Sequence, residues 1–128
     1  MKKSAYFLLN KIKNAQLVKK SSLFVENDKI SFSLLNILWD ENYILGFRYM
    51  EPSKKHIEIL LKYAGKTPAI RFIKFISKPG RRIYIPVRHL WHINSEFGLI
   101  ILSTNKGLLS LENSRRYKTG GELLLIIK

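Results

Sequence analysis

The sequence predicts an α+β protein: a small N-terminal α/β domain (residues 1–66; helix, strand, helix, strand, strand) packed on a β-rich C-terminal domain (67–128). Three observations carry this reading. Two amphipathic helical patterns interleave with short β-like runs in the first half. Beyond residue 68 the texture changes to short β-branched and aromatic runs punctuated by Gly, Pro and polar residues. Between the halves stands AGKTP (64–68), the best candidate linker, with a glycine, a proline and little that can pack.

Taken in order, Ala5, Leu8, Leu9, Ile12 and Ala15 recur at helical spacing and predict a helix over residues 4–19. Lys19 and Lys20 fall near its end, where the macrodipole favours cations. SLFVE (22–26) is a short strand. Asn27 and Asp28 can cap a second helix with Ile30, Leu34, Ile37, Leu38 and Trp39 as its apolar face. YILGFRYM (43–50) and HIEILLKY (56–63) read as strands separated by the turn material EPSKK; Ile57, Ile59, Leu61 and Tyr63 alternate as a one-sided sheet requires. In the second half IRFIKFI (70–76) is a strand, SKPG turns the chain, and Pro86 confines RRIYIPV to an edge or ends it. GLIIL and GLLSL flank the polar group STNK, ENSRRYK suits a short helix, and the apolar run in GGELLLIIK predicts a strand covered on both sides.

Charge narrows the function. The formal net charge is +14, and a compact domain tolerates such self-repulsion best when a polyanion neutralises it. Nucleic acid is the first candidate and an anionic membrane surface the second. The N-terminal helix has a short apolar face and no strong aromatic anchor, which disfavours the membrane. YFLL is too short for a signal-peptide core and NKIKN interrupts it, so MKKSAYFLLNKIKNAQ reads as a helix of the mature protein. No run approaches ~20 apolar residues. The absence of cysteine excludes disulfides and Cys-based zinc sites.

Catalytic constellations are thin. GKT (65–67) invites a phosphate-loop reading, but Leu60 stands where that motif needs its first glycine. The nine acidic residues form no close pair suited to acid–base work. His89 and His92 have helical metal-ligand spacing without a further ligand nearby, and read as surface histidines. No serine sits in a G-x-S-x-G setting. The sequence therefore predicts no enzyme, no cofactor and no metal.

The basic segments offer more. SKPGRRIYIPVR (77–88) gathers Lys78, Arg81, Arg82 and Arg88 around a Pro-Gly turn, with Tyr84 among them. Guanidinium groups match phosphate geometry, and a tyrosine can stack on a base or bond a ribose. A solvated hairpin end looks similar. Gly120 and Gly121 can admit a polynucleotide backbone, or form a helix C-cap and strand entry. Glu122 can accept from a base amine or anchor a neighbouring loop. Ser103, Thr104 and Asn105 can bond phosphate, 2′-OH and base edges at short range, with Lys106 at the rim; a plain β-turn fits them equally.

SKPGRRIY (77–84), GLIILSTNKGLLS (98–110) and GGELLLIIK (120–128), in this order, resemble the bacterial-type small-ribosomal-subunit protein eight family. The likeness extends through NKIKNA (10–15), KISFSLLNIL (29–38) and ENYILGF (41–47), nearly the whole chain. The resemblance implies a primary ribosomal RNA-binding protein without catalytic role. It would bind a bulged helix in the central domain of small-subunit RNA, help that domain fold, and adjoin other small-subunit proteins, with no small-molecule substrate and no membrane. It further implies RNA contact by Ser103, Thr104, Asn105 and Glu122, and by Lys11, Lys13 and Asn14 in the first half. The candidate RNA contacts also include Ser77, Lys78, Pro79, Gly80, Arg81, Arg82 and Tyr84 of the basic segment, Lys106, Gly120 and Gly121, and Lys29 in the first half. Asn105 departs from the family's serine, Lys11 and Lys13 replace arginines, and Ile127 and Lys128 replace a final aromatic. These departures, with abundant Lys, Ile and Asn, point to an organellar member, mitochondrial before plastid or bacterial. A basic RNA-binding domain acting outside the ribosome is the alternative.

Overall fold

The computed structural model describes residues 3–50, 55–78, 80–94, 96 and 98–128; the EPSKK turn lies largely outside them, and so does Pro79. The architecture is mixed α+β, in two compact units, Lys2–Ile70 and Arg71–Lys128.

In the first unit α1 (Lys3–Leu17), β1 (Ser22–Glu26), α2 (Lys29–Asp40), β2 (Ile44–Tyr49) and β3 (His56–Leu61) form an antiparallel sheet in the order β1-β3-β2 with two helices. Leu8, Leu9 and Ile12 of α1 are buried, as are Ile57, Ile59 and Leu61 on alternate positions of β3. The buried face of α2 differs from the predicted one: it comprises Ser31, Leu34, Leu35 and Leu38 with Ile37, whereas Ile30 is half-buried and Trp39 is exposed. Positions 31, 34, 35 and 38 follow the i, i+3, i+4, i+7 stripe, and Ser31 costs little there because small side chains fit close packing. AGKTP forms a small hairpin, with β4 (Tyr63–Ala64) pairing β5 (Thr67–Pro68) around Gly65 at φ 66.

In the second unit β6 (Ile73–Phe75), β7 (Tyr84–Ile85), β8 (Leu99–Thr104), β9 (Gly107–Ser110) and β10 (Gly121–Ile127) share one sheet, with α3 (Leu111–Arg116) after β9. β10 is central: β8 pairs along one edge, while β6 and β7 pair in turn along the other. A bulge between Leu123 and Leu125 resets its alternation. Leu123 and Ile126 therefore share a face with Ile100 and Leu102 and pack with Leu90 and Leu111, while Leu125 and Ile127 are buried on the other face. Pro86 ends β7 and opens a 3₁₀ turn over Val87–His92.

Side chains cap the starts of α2 and α3: Asp28 Oδ1 accepts from Ser31 N (2.8 Å) and Ser110 Oγ from Asn113 N (3.3 Å). Among the described residues, α1, α2 and α3 each end in a left-handed residue that is not glycine: Lys19 (φ 56), Asn42 (φ 63) and Lys118 (φ 52). Each end carries the same pair of bonds. For α3, Thr119 N donates to Ser114 O (3.0 Å) and Lys118 N to Arg115 O (3.2 Å). The glycines at 120 and 121 take no part in this cap. Lysine in the left-handed region costs about 1–2 kcal/mol, partly offset because glycine is freer when unfolded. Lys118→Gly should thus raise unfolding stability by about 0.5–1 kcal/mol in urea titration. Lys118→Ala, with the same backbone strain, should not.

Candidate nucleic-acid interface

The basic loop is an excursion from the edge of β10, sealed at its base. Ser77 Oγ donates to Leu123 O (2.5 Å) and accepts from Ile83 N (3.1 Å), while Leu123 N donates to Ile83 O (2.8 Å). Lys78 and Arg81 pair backbone to backbone in both directions (3.0 and 2.9 Å), with Gly80 at φ 84 allowing the tight turn. Lys78, Arg81 and Arg82 are exposed at this loop. Ser77 is fully buried and its hydroxyl makes both of these bonds, so it holds the base of the loop in shape.

Strand register brings the three predicted segments to one end of the sheet. Glu122 pairs with Tyr84 on one side and with Ser103 on the other, so the three side chains point to one face in a row. Tyr84 is exposed, Ser103 half-buried and Glu122 buried. The Glu122 carboxylate lies 3.6 Å from Arg82 Nη1, and the Arg82 side chain is half exposed. A buried carboxylate against an exposed guanidinium anchors the loop's cation beside the tyrosine.

The next row is Ile85, Gly121, Thr104 and Gly107. Because side chains alternate, Ser103 and Thr104 face opposite sides of the sheet. Thr104 Oγ1 donates to Gly107 O (2.8 Å) and accepts from Lys106 N (3.1 Å), closing the turn. Lys106 Nζ sits 4.9 Å over the Tyr117 ring. Among the described residues the Ser103 hydroxyl and the Asn105 amide have no hydrogen-bond partner. STNK is thus a tight turn stapled by Thr104, with Ser103 and Asn105 as its available polar groups. The glycines meet this chain's own backbone: a Cβ on Gly121 would strike the Ser103 carbonyl, and one on Gly120 would lie 2.5 Å from Ile85 O.

Lys11, Lys13, Asn14 and Lys29 are exposed on α1 and at the start of α2, in the first unit. Lys11 also lines a cavity of about 330 Å³ with Phe7, Leu8, Val25, Glu26 and Asp28. His89 and His92 are exposed with their rings 5.9 Å apart. Among the described residues, no three His, Cys, Asp or Glu side chains gather around a metal-sized space, and no helix is long and apolar enough to cross a membrane. Sequence reasoning missed Arg115, whose Nε donates to Leu90 O (3.1 Å) and whose Nη2 donates to Ile93 O (2.6 Å). Its signal was faint: a cation in the last turn of a short helix looks like ordinary macrodipole compensation.

Fold and surface together define a strongly basic α+β protein that presents guanidinium, phenol and hydroxyl groups around a sealed loop. Comparison with known families gives a match to ribosomal protein S8 over residues 7–127. The chain is 41% identical to the small ribosomal subunit protein uS8 of Bradyrhizobium sp. strain ORS 278 over 122 residues, 94% of this chain and 92% of that one. It is 38% identical, with the same coverage, to the proteins of that name from Afipia carboxidovorans and Rhodopseudomonas palustris strain BisA53. The chain belongs to the ribosomal protein S8 family, whose role is structural and not enzymatic.

Proposed function

We propose that this protein is a constituent of the small ribosomal subunit that binds its RNA directly. The target is a bulged helix of the central domain, whose fold it stabilises during assembly beside neighbouring ribosomal proteins. The names of the bacterial relatives support the subunit. The observation that carries RNA binding is the row Tyr84–Glu122–Ser103, with Arg82 held at its end, on a chain of net charge +14. Lysines and arginines neutralise phosphates and supply affinity, and the neutral groups read local shape. Ser103, Asn105, Arg82, Tyr84, Lys78 and Arg81 make the contacts in the second unit; Lys11, Lys13, Asn14 and Lys29 add contacts from the first. Ser77, Thr104, Gly120, Gly121 and Glu122 build the surface. The Lys-, Ile- and Asn-rich composition supports an organellar ribosome, mitochondrial in the first instance.

Co-migration with small subunits on a gradient tests the assignment, and paired variants test the surface. Ser103→Ala should weaken binding to the bulged helix about two- to tenfold, the worth of one hydrogen bond, with melting temperature and random-duplex binding unchanged. Thr104→Val should lower both stability, by about 1–2 kcal/mol, and affinity, because it opens the turn. Equal losses on cognate helix and random duplex would count against shape reading.

A further inference from the structure

We infer that Trp91 is a stacking platform for an unpaired base of RNA, forming a second RNA site distinct from the Tyr84–Glu122–Ser103 row. The inference rests on the RNA-binding reading above but on different residues. The 3₁₀ turn Val87–His92 and α3 cover the sheet face that carries Ile100 and Leu102, the face away from Ser103 and Glu122. In a 3₁₀ turn residues three apart eclipse, so this segment has three rows. Leu90 and Ile93 turn inward, Leu90 fully buried and Ile93 packed on the cluster. His89 and His92 form the second row. Arg88 and Trp91 form the third, both exposed and about 6 Å apart along the axis, within the reach of one nucleotide from base to phosphate.

Trp91 is 64% exposed, unusual for a side chain that is mostly buried in folded proteins. Its position is nevertheless defined. Arg115 is pinned by its bonds to the Leu90 and Ile93 carbonyls, and its guanidinium carbon lies 5.3 Å from the indole centroid. A fixed cation thereby lies over the ring, while the residue keeps 64% of its surface exposed and leaves ring area for a base. A base laid on that area stacks on the indole, and Arg88 meets the adjoining phosphate. The indole carries Arg115 on its ring, and Arg88 lies in the same turn, cations that suit a polyanion, although Val87 of that turn is exposed as well. Stacking asks only for a π-face, so the site takes an unpaired nucleotide with little sequence preference. A base inside a duplex has no free face to offer.

Tryptophan emission reads this contact directly. Trp39→Phe leaves Trp91 as the only tryptophan. Short single-stranded oligoadenylate should quench it, and RNA duplex at equal phosphate concentration should not. Trp91→Ala should weaken single-strand binding about five- to hundredfold, the value of one stacked base, while Trp91→Tyr keeps most of it. Absence of quenching, or an equal loss on duplex from Trp91→Ala, overturns the inference. A photoreactive phenylalanine at 91 in assembled small subunits should crosslink to RNA, and crosslinking to a ribosomal protein instead would also overturn it. Failure here with Ser103→Ala still selective for the bulged helix removes only the platform; failure of co-migration removes the ribosomal reading itself.

Discussion

Gly121→Ala is expected to lower stability by about 2–4 kcal/mol, enough to shift melting by some 10 °C or more in a domain of this size. The added methyl would meet the Ser103 carbonyl and lie close to Thr104 Cα, all backbone. Backbone paired on both sides, as Gly121 is with Thr104 and Ile85, does not step aside as a flexible side chain does, so β8 and β10 must separate locally. The separation falls where Ser103 pairs with Glu122, and RNA affinity should fall with stability. Thermal unfolding without RNA distinguishes the two roles the glycine pair can have. A gap left for a polynucleotide would give a normal melting temperature with lost affinity. A gap required by the protein's own strands gives the melting defect first. The geometry favours the second, and an unshifted melting curve would refute it.

Arg82 and Glu122 should behave as one unit toward RNA. Arg82→Ala is expected to cost about tenfold in affinity across sequences and to reduce the salt slope by about one. Glu122→Gln keeps the shape of the side chain and removes its charge. It should cost roughly fivefold alone and almost nothing more once Arg82 is alanine, a coupling of about 1 kcal/mol. The reason is burial: the Glu122 side chain is 8% exposed and lies 3.6 Å from a guanidinium that is 53% exposed, so the carboxylate acts through its neighbour. Additive losses would mean that Glu122 touches RNA itself. Because Arg82 is exposed, the pair adds little to folding, and melting temperatures should stay near wild type in all three variants.

The fold was legible wherever burial imposes periodicity. Ala5, Leu8, Leu9, Ile12 and Ala15 marked α1, and Ile57, Ile59 and Leu61 marked the buried face of β3. The α2 stripe was misjudged because Ser31 takes a core position, while the larger Ile30 and Trp39 lie off it. The site was legible as segments and not as faces. That SKPGRRIY, STNK and GGE belong to one surface was an expectation from the family resemblance, and register places them at one end of the sheet. Which hydroxyl of Ser77, Ser103 and Thr104 is free depends on folded geometry: on distant Leu123 for Ser77, and on the turn residues Lys106 and Gly107 for Thr104. Composition holds no trace of those bonds. Arg115 was missed for the same reason, since its acceptors lie 22 and 25 residues away in the chain.

The Ser77 bond to Leu123 spans 46 residues, and β10 is synthesised after every strand it pairs with. During translation the basic loop therefore emerges long before the residues that give it a shape, and until β10 arrives it is an open, highly charged segment. On the proposed reading, shape-selective binding would become available only when β10 docks, whereas indiscriminate attraction to a polyanion would be present throughout. Timing thus separates the two kinds of affinity: a nascent chain can be held loosely by any polyanion, and commitment to one target waits for the late strand.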